Sequence, residues 1–177
     1  MPISAARSWI PLAIAALVLD FASIAQQPEA GPSRPEQGAE LPDFTVVDAA
    51  TGDKVAMRTV LDAPGVEGPL VIAFVHKDKE LCVRFLAELK QQVELLGSDR
   101  NRCAIHLVFS GEDREGATIT AAKELAVPFH LQWDPDRSAY QAMGLIAFPT
   151  VYVVDRKSRR IELLRRGEIG PDDRVAV

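Results

Sequence analysis

Residues Pro69–Val75, PLVIAFV, are apolar almost without a break, and this run constrains the fold more than any other stretch. A strand that alternates apolar and polar residues needs cover on one face only. A strand apolar at nearly every position needs cover on both. Such a strand belongs inside a sheet that has helices above and below it. The chain supplies a helix next: from about Lys79 to Leu96, apolar side chains fall at Cys82, Phe85, Leu86, Leu89, Val93 and Leu96, the spacing of one helical face.

A second buried strand, CAIHLVFS (Cys103–Ser110), follows, and then a helical stretch, GATITAAKELAV (Gly116–Val127). FHLQW reads as a short strand and RSAYQAMGL as a short helix. TVYVVD and RIELLRRG flank the basic run RKSRR (Arg156–Arg160), which reads as a solvated hairpin turn. Upstream, DFTVVDA alternates as a strand, and TGDKVAM supplies a turn and a second short strand. This order predicts an α/β fold with a mixed central sheet flanked by helices and an N-terminal strand hairpin.

The N-terminal segment MPISAARSWIPLAIAALVLDFASIAQQ differs from the rest. It places Arg7 before an apolar run from Trp9 to Leu19, with small residues at Ser23 and Ala25. That is the order of a secretory signal cleaved after Ala25. The apolar run is about half of the ~20 residues a membrane span needs. Left uncleaved, it would tether the chain to a membrane. Residues 26–40, QQPEAGPSRPEQGAE, are rich in Pro, Gly, Gln and Glu, and such a segment buries too little surface to offset its ordering entropy. The expected organisation is a signal peptide over 1–25, a disordered linker over 26–40 and one folded domain over 41–177, exported to the periplasm or cell envelope. The formal net charge of −5, with Lys and Arg scattered, excludes a nucleic-acid partner.

Two phrases carry a family resemblance. LPDFTVVDAATGDKVAM and WDPDRSAYQAMGLIAFPTVYVVD resemble the opening and closing halves of the redoxin branch of the thioredoxin superfamily, which includes TlpA-type disulfide reductases and AhpC/TSA peroxiredoxins. The likeness spans roughly Leu41 to Gly170, and the family's last helix looks short or absent after it. The resemblance implies a thioredoxin-like fold in which Pro149 is cis and faces the active cysteines. It also implies that Phe148, Pro149 and Thr150 form an edge where an extended substrate can pair with the backbone.

TlpA-type enzymes carry C-x-x-C about five residues beyond a conserved Phe. Counting from Phe74 puts Lys79 at the first-cysteine position and Cys82 at the second, so that the motif reads KELC. A loop insertion would instead make Cys82 the first cysteine, with Phe85 in place of the second. One sulfur is missing in either register. A dithiol enzyme attacks with one thiolate and releases the mixed disulfide with its second, so a lone cysteine needs an outside thiol. Cys103 is a poor substitute. A helix of about 16 residues spans roughly 24 Å, Cys103 lies near its far end, and a disulfide needs Cα atoms within about 7 Å.

The helix start and the nearby Lys77, Lys79 and Arg84 favour a reactive Cys82 thiolate, whereas Asp78 and Glu80 oppose it. The alternative is a small buried hydrophobe on the helix's inner face. Peroxidase chemistry fits poorly: Lys79 occupies the position of the peroxiredoxin Thr or Ser, and no proline lies between Val71 and Cys82. Cys103 and His106 are three apart on a strand and so face opposite sides, and His76 beside Cys82 is too little for a copper site. No metal or cofactor is implied. His106 and His130 read as ordinary strand residues, and Trp133 and Tyr140 as core or rim aromatics. Two functions remain: a monothiol oxidoreductase that uses Cys82, or a non-catalytic envelope module that holds a peptide or protein partner at the cis-proline groove.

The N-terminal reading has a direct check. Mass spectrometry of the envelope-fraction protein is expected to find an N-terminus near Gln26, and intact protein confined to the cytosol would contradict export.

Overall fold

A computed structural model describes residues 34–64, 68–95, 104–111, 116–124 and 129–167. In chain order the elements are β1 (Thr45–Asp48), β2 (Lys54–Ala56), α1 (Met57–Leu61), β3 (Leu70–Val75), α2 (Glu80–Leu95), β4 (Ala104–Ser110), α3 (Ala117–Glu124), β5 (Phe129–Asp134), α4 (Ser138–Ala142), β6 (Thr150–Val154) and β7 (Ile161–Arg166). The strands form one mixed sheet in the order β2-β1-β5-β4-β3-β6-β7. Strands β3, β4 and β5 are parallel, and the other pairings are antiparallel.

Every residue of β3 is buried. Because successive side chains of a strand point to opposite faces, both faces of the sheet are covered there. The two parallel crossovers, β3–α2–β4 and β4–α3–β5, step the same way across the sheet. Right-handed connections therefore place α2 and α3 on the same face, where they pack together. The inner stripe of α2, Cys82, Phe85, Leu86, Leu89 and Val93, is buried. Phe74 of β3 meets Tyr140 of α4 edge-on at 5.3 Å and Tyr152 of β6 at 6.0 Å.

Two segments differ from the sequence reading. The chain turns into α1 at Met57, whose N–H donates to the Phe44 carbonyl at 2.9 Å. Five residues are too few to hold a helix by propensity, and α1 instead depends on tertiary contacts. Met57 and Leu61 are buried, and the Arg156 guanidinium donates to the C-terminal carbonyls of Val60 and Leu61 at 2.6 and 3.2 Å. RKSRR is thus a hairpin turn but not merely a solvated one: Arg156 caps α1, and Arg159 pairs with Asp62 at 2.8 Å.

The linker also ends earlier than Glu40. Gly38 N–H donates to the Ile161 carbonyl at 2.7 Å, Ile161 N–H to Ala39 at 2.9 Å, and Leu41 N–H to Arg159 at 2.9 Å. Residues 38–41 thereby add to the outer edge at the β6–β7 hairpin, with backbone pairing that a polar composition does not reveal. The signal segment 1–25, residues 26–33, Cys103 and residues 168–177 lie outside the described residues. Among the described residues, no helix is long and apolar enough to cross a membrane.

His106 and His130 are register partners on β4 and β5, and their rings stack at 4.5 Å. His106 is buried, and its Nδ1 has no hydrogen-bond partner. Burial first, and then His130, push its pKa down to about 4, with lesser influences from Gln132, Arg156 and Asp48. A depressed histidine pKa means that the unfolded chain takes up this proton before the folded one does. The contribution to stability is complete above pH 6.5, declines as pH falls toward 4 and is flat below. Unfolding free energies from denaturant titrations are expected to fall over that window by up to about 3 kcal/mol. His106→Leu should remove most of that slope, and parallel profiles for the two proteins would contradict the assignment.

Candidate functional site

Strand register assembles the site. Phe74 pairs with Thr150 across the antiparallel β3–β6 ladder, so the next positions beyond each strand end bring His76 opposite Phe148. Their rings lie 5.8 Å apart, and Phe148 also packs on Tyr140 at 5.1 Å. The Phe148–Pro149 peptide bond is cis. Phe148, Pro149 and Thr150 are all buried, and the Thr150 hydroxyl donates to the Ala147 carbonyl at 2.7 Å. Gly167 closes the other side of this turn, with its N–H donating to the Pro149 carbonyl at 2.6 Å. A Cβ at Gly167 would lie only 2.7 Å from the Phe148 carbonyl oxygen, so the backbone passage requires glycine.

The loop 76–79 joins β3 to α2. Lys79 stands directly before the helix, and its carbonyl accepts the N–H groups of Cys82 at 2.9 Å and Val83 at 3.2 Å. Cys82 is therefore the third helical residue, aimed inward with no exposed surface. Its Sγ accepts the His76 backbone N–H at 3.3 Å. Burial pushes the thiol pKa up to about 11, although the His76 N–H and the Lys79 charge both pull it down. The cations expected to activate Cys82 are overruled by desolvation, which disfavours the thiolate more than Lys79 stabilises it. Arg84 instead faces Glu80 at 3.9 Å, and Lys77 faces Asp78 at 3.6 Å.

Several supporting residues carried no functional signal in the sequence. Thr118 of α3 donates its N–H to the Lys77 carbonyl at 2.7 Å. Gly116 comes so close to the loop that a Cβ there would meet Lys77 O and Asp78 Oδ1 at 2.8 Å. Asp134 is buried at the end of β5, where its carboxylate accepts the N–H groups of Ala139 at 3.2 Å and Tyr140 at 2.9 Å, capping α4. The Tyr140 hydroxyl then donates to the Val75 carbonyl at 3.1 Å. The pattern D-x₄-A-Y could have hinted at a cap, but only the fold brings that tyrosine to the end of β3. Among the described residues, no cluster of three His, Cys, Asp or Glu side chains could hold a metal ion.

The sheet order, the helix that follows β3 and the cis-proline opposite it together decide the architecture. The fold is thioredoxin-like. Solved structures with this fold include the solution structure of a thiol:disulfide interchange protein from Bacteroides sp. (TM-score 0.58, 16% identity, covering 78% of this chain and 85% of that one). A thiol-disulfide oxidoreductase from Bacteroides fragilis matches with TM-score 0.57 and 18% identity over 73% of this chain and 93% of its own. The thioredoxin domain of a thiol-disulfide oxidoreductase from Bacteroides vulgatus matches with TM-score 0.54 and 16% identity over 78% and 91%. No family model and no curated protein matches the sequence.

In this thioredoxin-like frame, positions 79 and 82 span the first turn of α2. Residues three apart on a helix have Cα atoms about 5 Å apart, inside the range of disulfide geometry. Lys79→Cys is therefore expected to form a disulfide with Cys82 under mild oxidant, seen as a 2-hydrogen mass loss, and to raise insulin reduction above the parent protein. Should Phe85→Cys do so instead, Cys82 occupies the first-cysteine position.

Proposed function

We propose that this chain is an exported, non-catalytic thioredoxin-fold module that holds an extended peptide or protein segment at its cis-proline face in the cell envelope. One observation carries the reading: Cys82, the candidate thiol, is fully buried and serves as a hydrogen-bond acceptor for the His76 backbone. A monothiol enzyme needs an accessible sulfur with appreciable thiolate at neutral pH. A pKa of about 11 leaves almost none. The three solved structures described above carry thiol-disulfide names, and the likeness to them is one of fold.

Binding does not need the sulfur pair. An edge beside a cis-proline can pair its backbone with an extended segment, which gives affinity through main-chain hydrogen bonds. Partly exposed Leu81 and Val83 flank Cys82 in sequence, and partly exposed Ile146 lies two residues before Phe148. Export is supported by the order of Arg7, the Trp9–Leu19 apolar run and the small residues at Ser23 and Ala25.

Cys82→Ser tests the reading. The change is nearly isosteric and leaves an oxygen that can accept the His76 N–H, so it should cost no more than about 2 kcal/mol in stability. Cellular function and partner capture are expected to survive. Loss of function with an unchanged melt and unchanged capture would make the thiol the working part and sink the binding-module reading.

A further inference from the structure

We propose that His76 is an acid-released latch: its neutral ring holds the 76–79 loop closed over Cys82, and its protonation opens the loop and exposes the sulfur. The inference goes beyond the binding reading and does not rest on it.

Three contacts converge on this residue from three parts of the fold. Its backbone N–H donates to Cys82 Sγ on α2 at 3.3 Å. Its ring packs on Phe148 beside the cis-proline at 5.8 Å. Its Nδ1 accepts the Asp78 backbone N–H at 3.2 Å, which folds the loop back on itself. The last contact exists only while Nδ1 keeps its lone pair. In the imidazolium both ring nitrogens are donors, so protonation sets an N–H against the Asp78 N–H.

The surroundings set the direction of the response. Lys77, Asp78 and Lys79 face the ring from its own loop, and Arg137 faces it from the start of α4. Phe148 and Cys82, on the remaining elements packed here, contribute no charge at acid or neutral pH. Partial burial first, and then three cations against one carboxylate, hold the closed loop to the neutral ring. Asp78 supplies the carboxylate that favours the protonated ring, and protonation at Nδ1 removes the acceptor for the Asp78 N–H. The far side of the loop cannot follow freely, because Thr118 N–H grips the Lys77 carbonyl at 2.7 Å. The Thr118 hydroxyl also donates to the Lys79 carbonyl at 3.5 Å, so the movement is centred on His76 and Asp78, and it withdraws the His76 N–H from Cys82 Sγ.

The sign of the linkage follows. Because the closed loop depresses the His76 pKa, falling pH favours the open loop, by about tenfold for each pKa unit separating the two loop states. The test uses the full chain and 4,4′-dithiodipyridine, a probe that reacts with thiols in acid and releases one thiopyridone per thiol captured as a mixed disulfide. Peptide mass mapping separates Cys82 from Cys103. His76→Asn keeps a neutral side-chain acceptor at every pH and serves as the reference; the His106 titration is common to both proteins.

Relative to His76→Asn, the parent rate at Cys82 is expected to rise about threefold or more between pH 7.5 and pH 5. The Asp78 amide signal in NMR should titrate together with the His76 ring. Identical pH profiles for the two proteins would overturn the latch, and so would an Asp78 amide that stays fixed while His76 titrates.

Discussion

The pairing of β3 with β6 is the constraint on which the rest depends. Phe74 opposite Thr150 determines which residues meet beyond the strand ends. It brings the loop before α2 to the cis-proline turn, and with it His76 to Phe148. A slip of one residue would send β6's side chains to the opposite faces of the sheet. Tyr152 would then leave Phe74 and the buried aromatic group that Phe74 forms with Phe44 and Tyr140. Burying a side chain of that size is worth about 1.5–3 kcal/mol, so the register is strongly specified.

The same packing sets the environment of Cys82. α2 must bury one stripe against the sheet, and Cys82 lies on that stripe with Phe85, Leu86 and Leu89. At the third helical position the sulfur faces inward, where water is excluded and a thiolate is costly. Lys79, directly before the helix, supplies no second sulfur. The aligned α2 dipole and a nearby cation normally favour a thiolate. Desolvation is the larger effect here.

Supports for the site come from distant stretches of chain. α3 clamps the loop through Thr118 and Gly116, β5 caps α4 through Asp134, and Gly167 after β7 closes on Phe148. At the opposite end of β6, Arg156 and Arg159 tie the hairpin turn to α1. Both are charges that sequence patterning assigns to solvent. Such pairs form because the backbone places carbonyls and a carboxylate within reach of a flexible guanidinium.

The sequence by itself determined the order of strands and helices apart from α1, the burial of β3 and the inner face of α2. Those properties follow from apolar periodicity, a local quantity that each segment carries alone. It also marked Lys79, Cys82, Phe148, Pro149 and Thr150 through short phrases resembling a known family. The tertiary structure decided what those residues experience. It gave Cys82 a sealed setting, gave His76 three partners and converted 38–40 from linker to added edge. Exposure, hydrogen-bond partners and pKa belong to the neighbourhood created by long-range pairing, and a local pattern holds no record of which distant residues will supply it.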